Sequence, residues 1–265
     1  MNVHFPNESA EYRAARDRLL EKEIELRRQM ETLAEERRKL PLGGVLKEDY
    51  VFDGLGHDGE PARIRFSELF ARGRDTLILY NMMFPRFPTD TRPKPDRGAF
   101  ATLPRQDGPC PSCIALVDQF DGAAPHLEAA GFNFVIVAKT SLERLLTFAC
   151  ERGWRHLRYL SSASNSFKCD YHGEDEEGGQ EALLQVFHRS PEGIRHFWSS
   201  ELQFTEEDPG QDQRAFGTIE PLWNFIDLTP EGRSEWNVSV NDRGPKDAKP
   251  AIAGSTGVRT EQRAT

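Results

Sequence analysis

Apolar positions are spaced differently along different parts of this chain, and the spacing predicts the elements. Between Asn7 and Leu40, Tyr12, Leu19, Leu26, Leu33 and Leu40 recur every seven residues among charged ones, with Leu20, Ile24 and Met30 beside them. This predicts one long helix, capped by Asn7 or Ser9 and stopped by Pro41-Leu42-Gly43-Gly44. A coiled coil needs a second apolar row, and Arg16, Glu23 and Arg37 fill most of it. The helix is therefore expected to lie by one stripe on its own domain or on a partner subunit. At the other end, Asn241 to Thr265 has almost no apolar content and reads as a disordered tail.

Between Val45 and about Thr229 the period alternates between strand and helix. Tyr50–Phe52 and Ala62–Phe66 read as a hairpin around Gly54 to Gly59, and Ser67–Phe70 as a turn of helix. Thr76–Met83 and Phe132–Ala138 are strands, the second a continuous apolar run of the kind buried on both faces. Ile114–Phe120 is helical. Thr140-Ser141-Leu142-Glu143 forms a capping box opening a helix through Cys150, which Gly153 closes. Leu157–Leu160 is a short strand, and Leu183–His188 pairs with Ile194–Trp198 over Pro191-Glu192-Gly193. Strand–helix–strand–helix–strand and then a hairpin is the order of an α/β thioredoxin-like fold, a mixed sheet flanked by helices. Phe84 to Pro109 interrupts it with Pro85, Pro88, Pro93, Pro95, Pro104 and Pro109. A loop of this length is a functional lid or a floppy insertion. The expected organisation is an arm over 1–44, a domain over 45–240 with its insertion at 84–109, and the tail over 241–265.

The insertion leads straight into Cys110-Pro111-Ser112-Cys113, between a strand and a helix. A cysteine at a helix N-terminus meets the positive end of the dipole, which favours the nucleophilic thiolate. A proline at the first helical position costs nothing, and one turn brings the second sulfur within disulfide reach. The arrangement reads as a thiol–disulfide pair, Cys110 at the tip, more exposed and attacking, Cys113 one turn in and resolving. Arg105 is a candidate to hold the thiolate, and Cys150 a packed, inert thiol. Composition sets the surroundings: with 265 residues the chain can bury a core, and a net charge of −9 with a pI near 5.4 offers no footprint for nucleic acid or an anionic membrane. Four cysteines are too few for a secreted disulfide scaffold, and neither a signal peptide nor a membrane span is visible. A cytoplasmic setting is expected, with a protein or small-molecule disulfide as substrate, a cellular reductant as partner, no bound cofactor, and a homodimer through the first helix.

The same residues admit competing chemistry. Cys169 and His172 repeat the two-residue spacing, so Cys110, Cys113, Cys169 and His172 compose a Cys₃His set that zinc would accept. A redox-inactive interaction module with the same fold is a further alternative. His188 and His196 alternate with apolar neighbours as sheet histidines do. Trp198, Trp223 and Trp236 serve a pocket, a core or an interface equally well. Gly54 to Gly59 has a loose dinucleotide glycine pattern, but a hairpin rather than a helix comes after it, so it is a turn.

Several stretches resemble the bacterial thioredoxin-like family catalogued as domain of unknown function 899. They are His4-Phe5-Pro6-Asn7, Met83-Phe84-Pro85, the CxxC, Asn165–Phe167 with Asp170-Tyr171, His196-Phe197-Trp198, and Asp227 to Arg233. The resemblance implies a thioredoxin-like fold related to the peroxiredoxin branch and no established reaction. Departures from thioredoxins are local. Gly108-Pro109 stand where a tryptophan precedes the first cysteine, and Gly178–Ala182 lacks the cis-proline that thioredoxins set against the site. Asp107 stands where peroxiredoxins carry threonine or serine, which sets a peroxidase reading behind disulfide exchange.

Overall fold

A computed structural model describes residues 3–209, 214–233 and 237–241. Its centre is a seven-stranded sheet in the order β2-β1-β5-β4-β3-β6-β7. The strands are β1 (Val51–Leu55), β2 (Pro61–Arg65), β3 (Thr76–Met82), β4 (Asn133–Ala138), β5 (Arg158–Ser161), β6 (Leu183–Ser190) and β7 (Gly193–Ser199). β3, β4 and β5 run parallel; on the other side of β3, β6 runs antiparallel to it and β7 antiparallel to β6. The parallel pairs need crossovers, supplied by α2 (Pro111–Ala129) and α3 (Leu142–Arg152) after α1 (Ala10–Arg38). The β4-β3-β6-β7 core with α2 crossing from β3 to β4 is the thioredoxin-like arrangement, and the β1–β2 hairpin extends it beyond β5.

Alternation along the strands explains both layers. Tyr80, Met82, Phe134, Ile136 and Ala138 point to the face covered by α2 and α3. Leu77, Leu79, Val135 and Val137 point to the other, where Tyr50, Phe52, Phe66, Phe167 and Phe187 form an aromatic layer. All six residues of β4 are buried, because each face has a cover. Phe167 comes from α4 (Phe167–Asp170), a single turn after β5, and α5 (Pro221–Ile226) lies near the C-terminal end.

Several expectations shift by small amounts for identifiable reasons. Ser9 caps α1, its Oγ accepting from the Tyr12 amide at 3.0 Å. Ser141, not Thr140, caps α3 by accepting from the Arg144 amide, and with Arg144 at the third helical position the expected capping box gives way to a single cap bond. Gly153 closes that helix in the left-handed region, at φ 84°. α2 runs nine residues past Phe120 and through Pro125, which has no N–H to donate to Asp121. None of the residues of α1 is buried, so its leucine stripe does not pack on its own domain. Near its C-terminus the Arg37 guanidinium sits over the Trp198 ring, 5.2 Å from the centroid. No helix among the described residues is long and apolar enough to cross a membrane. The expected tail lies outside the described residues except for Asn241, which belongs to the folded part: its Nδ2 donates to the Lys94 carbonyl and its Oδ1 accepts from the Asp96 amide.

Candidate active site

β3 delivers the chain to the site and α2 carries it away. Just beyond β3, the Met83 carbonyl accepts from the Cys110 amide at 3.0 Å, which seats the start of α2 against the strand end. Cys110 is the N-cap residue and Pro111 the first helical position. Both sulfurs are thiols, and both residues are only 1% exposed. This corrects the expectation that Cys110, at the tip, is the more exposed of the two. The proline-rich segment folds over it, and Cys110, Cys113, Tyr80, Leu116, Ala182, Phe216 and Trp223 share a cavity of about 480 Å³.

The segment is ordered around a buried arginine. Arg86 is 2% exposed; its guanidinium donates to the carbonyls of Arg92, at 2.8 Å, and Pro93, and its amide to Gly108. Arg92, so presented, reaches inward. Its guanidinium donates to Ser112 Oγ at 2.7 Å and to Cys110 Sγ at 3.5 Å, while the Asp90 carboxylate holds its other side. Arg105, offered by the sequence as a thiolate partner or a surface residue, instead donates to the Thr91 carbonyl. A cis peptide joins Phe84 to Pro85, and Ala182 forms the cavity wall just before β6.

The two thiols have opposite acidities. A hydrogen bond from Cys113 lowers the Cys110 pKa to about 6 against the opposing effect of burial; the Cys113 amide, the Arg92 charge and the Ser112 amide add to the lowering. Burial and the neighbouring Cys110 push Cys113 well above the ordinary thiol range, although the Tyr80 hydroxyl and the Met83 amide donate to its sulfur. The result is a thiolate backed by a protonated thiol, one turn apart, on one cavity. Glu181 and Glu220 line the same cavity, and burial raises both carboxyls.

The other sequence candidates lie elsewhere. Cys169 is exposed on α4, whose buried residues are Phe167 and Lys168, and His172 comes after it in a left-handed turn at φ 57°. Among the described residues no three His, Cys, Asp or Glu side chains stand close enough to hold a metal ion, so the Cys110, Cys113, Cys169 and His172 set is not assembled. Cys150 is exposed on α3, not packed, because Leu145, Phe148 and Ala149 take the inward positions. His188 and His196 bond to Thr76 and Ser199 as ordinary sheet residues. Trp223 lines the cavity, Trp198 does not, and Trp236 lies outside the described residues. Arg92, Arg86, Tyr80 and Lys168 carry no motif that marks them in the sequence; only Met83-Phe84-Pro85, within the family resemblance, points to the strand end that seats both cysteines.

Comparison with known proteins gives one assignment and several distant likenesses. None of the curated proteins matches the chain. Among solved structures, the mitochondrial 2-Cys peroxiredoxin from Plasmodium falciparum is 11% identical, with 74% of this chain and 100% of that one covered at a TM-score of 0.41. Enterococcus faecalis AhpC is 17% identical, with 70% and 93% covered at 0.39. The bacterioferritin comigratory protein of Xanthomonas campestris, solved in work on its alkyl peroxide reduction, is 15% identical, with 59% and 84% covered at 0.38. Likenesses of this size carry no argument about this chain; the fold rests on its own strand order and crossovers. The family model described as bacterial protein of unknown function (DUF899) matches residues 1–248, and the chain belongs to that family.

Proposed function

We propose that this protein is a thiol–disulfide oxidoreductase in which Cys110 attacks and Cys113 resolves. The observation that supports it best is the pairing of a low-pKa sulfur at the start of α2 with a protonated thiol one turn further in, both on one cavity. The Cys110 thiolate attacks one sulfur of a substrate disulfide; the S–S bond breaks and the other sulfur leaves as a thiolate. Cys113 then loses its proton and attacks Cys110, releasing the first sulfur and leaving a Cys110–Cys113 disulfide. The substrate gains two electrons, the pair gives up two, and a cellular dithiol restores it.

Burial of Cys110, only 1% exposed on a cavity of about 480 Å³, favours a small disulfide over a folded protein. The same burial supports a second reading, reduction of a small hydroperoxide. There Cys110 would attack the terminal oxygen, an alcohol would leave, and Cys113 would condense with the sulfenic acid, losing water.

The test is a redox titration with thiol trapping and mass spectrometry, on the wild type and on Cys110→Ser and Cys113→Ser. Exchange requires a Cys110–Cys113 disulfide that forms reversibly, within roughly −120 to −270 mV as in known exchange proteins. It also requires Cys113→Ser to accumulate a mixed disulfide on Cys110. A sulfenic acid on Cys110 with peroxide, and no reaction with disulfides, would transfer the conclusion to the peroxidase reading. Two thiols inert to both reagents would sink both readings.

A further inference from the structure

One buried titratable group has no part in disulfide exchange as written for the two cysteines alone. Lys168 is 0% exposed, although an amine ordinarily keeps its charge in water. Its Nζ donates to the Met82 carbonyl at 3.1 Å. On the far side of the same peptide group, the Met83 amide lies where it favours the Cys113 thiolate. A single peptide group therefore stands between the amine and the resolving thiol, hydrogen-bonded to the amine through its carbonyl and presenting its N–H side to the thiol. Gly173 makes the room for this, since a Cβ there would lie 3.0 Å from Cε of Lys168 and 3.0 Å from Cγ of Asn81.

The surroundings leave the amine poised between its two forms. Burial lowers its pKa to about 7; Cys113 on α2 and Glu174 and Glu181 in the 171–182 loop oppose this, while Lys139, at the end of β4, adds to it. Lys139 and Glu174 are themselves paired at 2.6 Å.

We propose that Lys168 is a positioning residue for the resolving step, the counter-charge of Cys113 held to it through the Met82–Met83 peptide group. The inference rests on the exchange reading. As Cys113 gives up its proton, Lys168 takes one up, so a thiol and an amine become a thiolate and an ammonium with no net charge buried. The ammonium draws on the Met82 carbonyl and strengthens the Met83 N–H as a donor to the new thiolate. That thiolate attacks Cys110 in the mixed disulfide, and the substrate sulfur leaves with the electron pair of the broken bond. With Cys113 then neutral in the disulfide, Lys168 returns its proton to the departing sulfur or to solvent, so no lone charge stays buried. When an external dithiol attacks Cys110 and reopens the disulfide, Lys168 takes up a proton as Cys113 departs as a thiolate and gives it back as the thiol re-forms.

Stopped-flow mixing of the reduced full chain with one equivalent of dithiobis-nitrobenzoate, a chromogenic aromatic disulfide, separates the two steps. Attack by Cys110 releases one coloured thiolate and resolution by Cys113 a second. Lys168→Gln keeps a donor for Met82 but cannot change charge. It is expected to leave the first release unchanged and slow the second roughly ten- to hundredfold near neutral pH, the deficit closing as alkali ionises Cys113 directly. An unchanged second release, or equal slowing of both, overturns the proposal. If the variant does not fold, the wild-type profile decides. A second release that tracks an ionisation near neutrality supports Lys168, and one that tracks only an ionisation above the ordinary thiol range overturns it. A wild type that gives the first release and never the second fails the exchange reading itself, whatever Lys168 does.

Discussion

At the scale of the residue, the site turns on which cation reaches Cys110. Arg92 does so, with its guanidinium fixed on three sides by Asp90, Ser112 and the sulfur. Its charge is one of the causes that favour the thiolate. Arg92→Met is therefore expected to raise the Cys110 pKa by roughly one unit, the low end of what an adjacent opposite charge does. The check is the pH dependence of thiolate absorbance and of iodoacetamide alkylation in a Cys113→Ser background. Arg105→Met, the control, should leave both unchanged, since among the described bonds the Arg105 guanidinium donates only to the Thr91 carbonyl. Nothing in the sequence could rank these arginines. Both lie in the 84–109 segment, and the one nearer to Cys110 along the chain is the wrong one. What decides is the course of the backbone between them, and Arg86 fixes that from inside.

At the scale of the element, the legible parts are those whose pattern is local. β4 is recognisable because burial on both faces demands an unbroken apolar run, and the β6–β7 hairpin because Pro191-Glu192-Gly193 breaks two alternating segments. α2 is legible only to Phe120, because an interior proline reads as a stop; here the turn around Pro125 survives with one backbone bond missing. The cover over the thiols is the opposite case. Its prolines give no periodicity, and its order comes from a buried guanidinium bonded to carbonyls of Arg92 and Pro93 across the loop. Arg86→Met should therefore loosen the element while leaving both thiols in place. Read well above the pH at which Cys110 ionises, where a displaced Arg92 no longer changes the thiolate fraction, the expected outcome is faster labelling of Cys110 by a bulky maleimide, by roughly tenfold, with little change for iodoacetamide, as for a local opening equilibrium. Equal acceleration by both reagents would mean that the fold, not the cover, had been lost.

At the scale of the whole molecule, the same charges link stability to pH and to the redox state. An unfolded cysteine ionises near ~8.5 and an unfolded lysine near ~10.4. Folded Cys110 ionises at about 6, so between these values the reduced native state holds fewer protons than the unfolded chain. Its contribution is fully present above the unfolded value and is lost as pH falls through the folded one. Lys168, lowered to about 7, has the same sign between its folded and unfolded values, and its cost is complete below the folded value. Cys113, raised by burial, acts in the opposite sense only above the ordinary thiol range. Reduced protein should therefore gain thermal stability as pH rises from about 6 to ~8.5. Oxidised protein has no thiol on Cys110 to ionise and keeps only the lysine contribution. The Tm advantage of the disulfide form should accordingly narrow across that interval, which calorimetry on the two forms in matched buffers would show. Parallel curves would mean that the folded state does not hold Cys110 as a thiolate. A narrowing gap has a direct chemical counterpart: whatever stabilises the reduced form makes the disulfide easier to reduce. The charges around Cys110 would then set the redox poise of the pair as well as the rate at which it attacks.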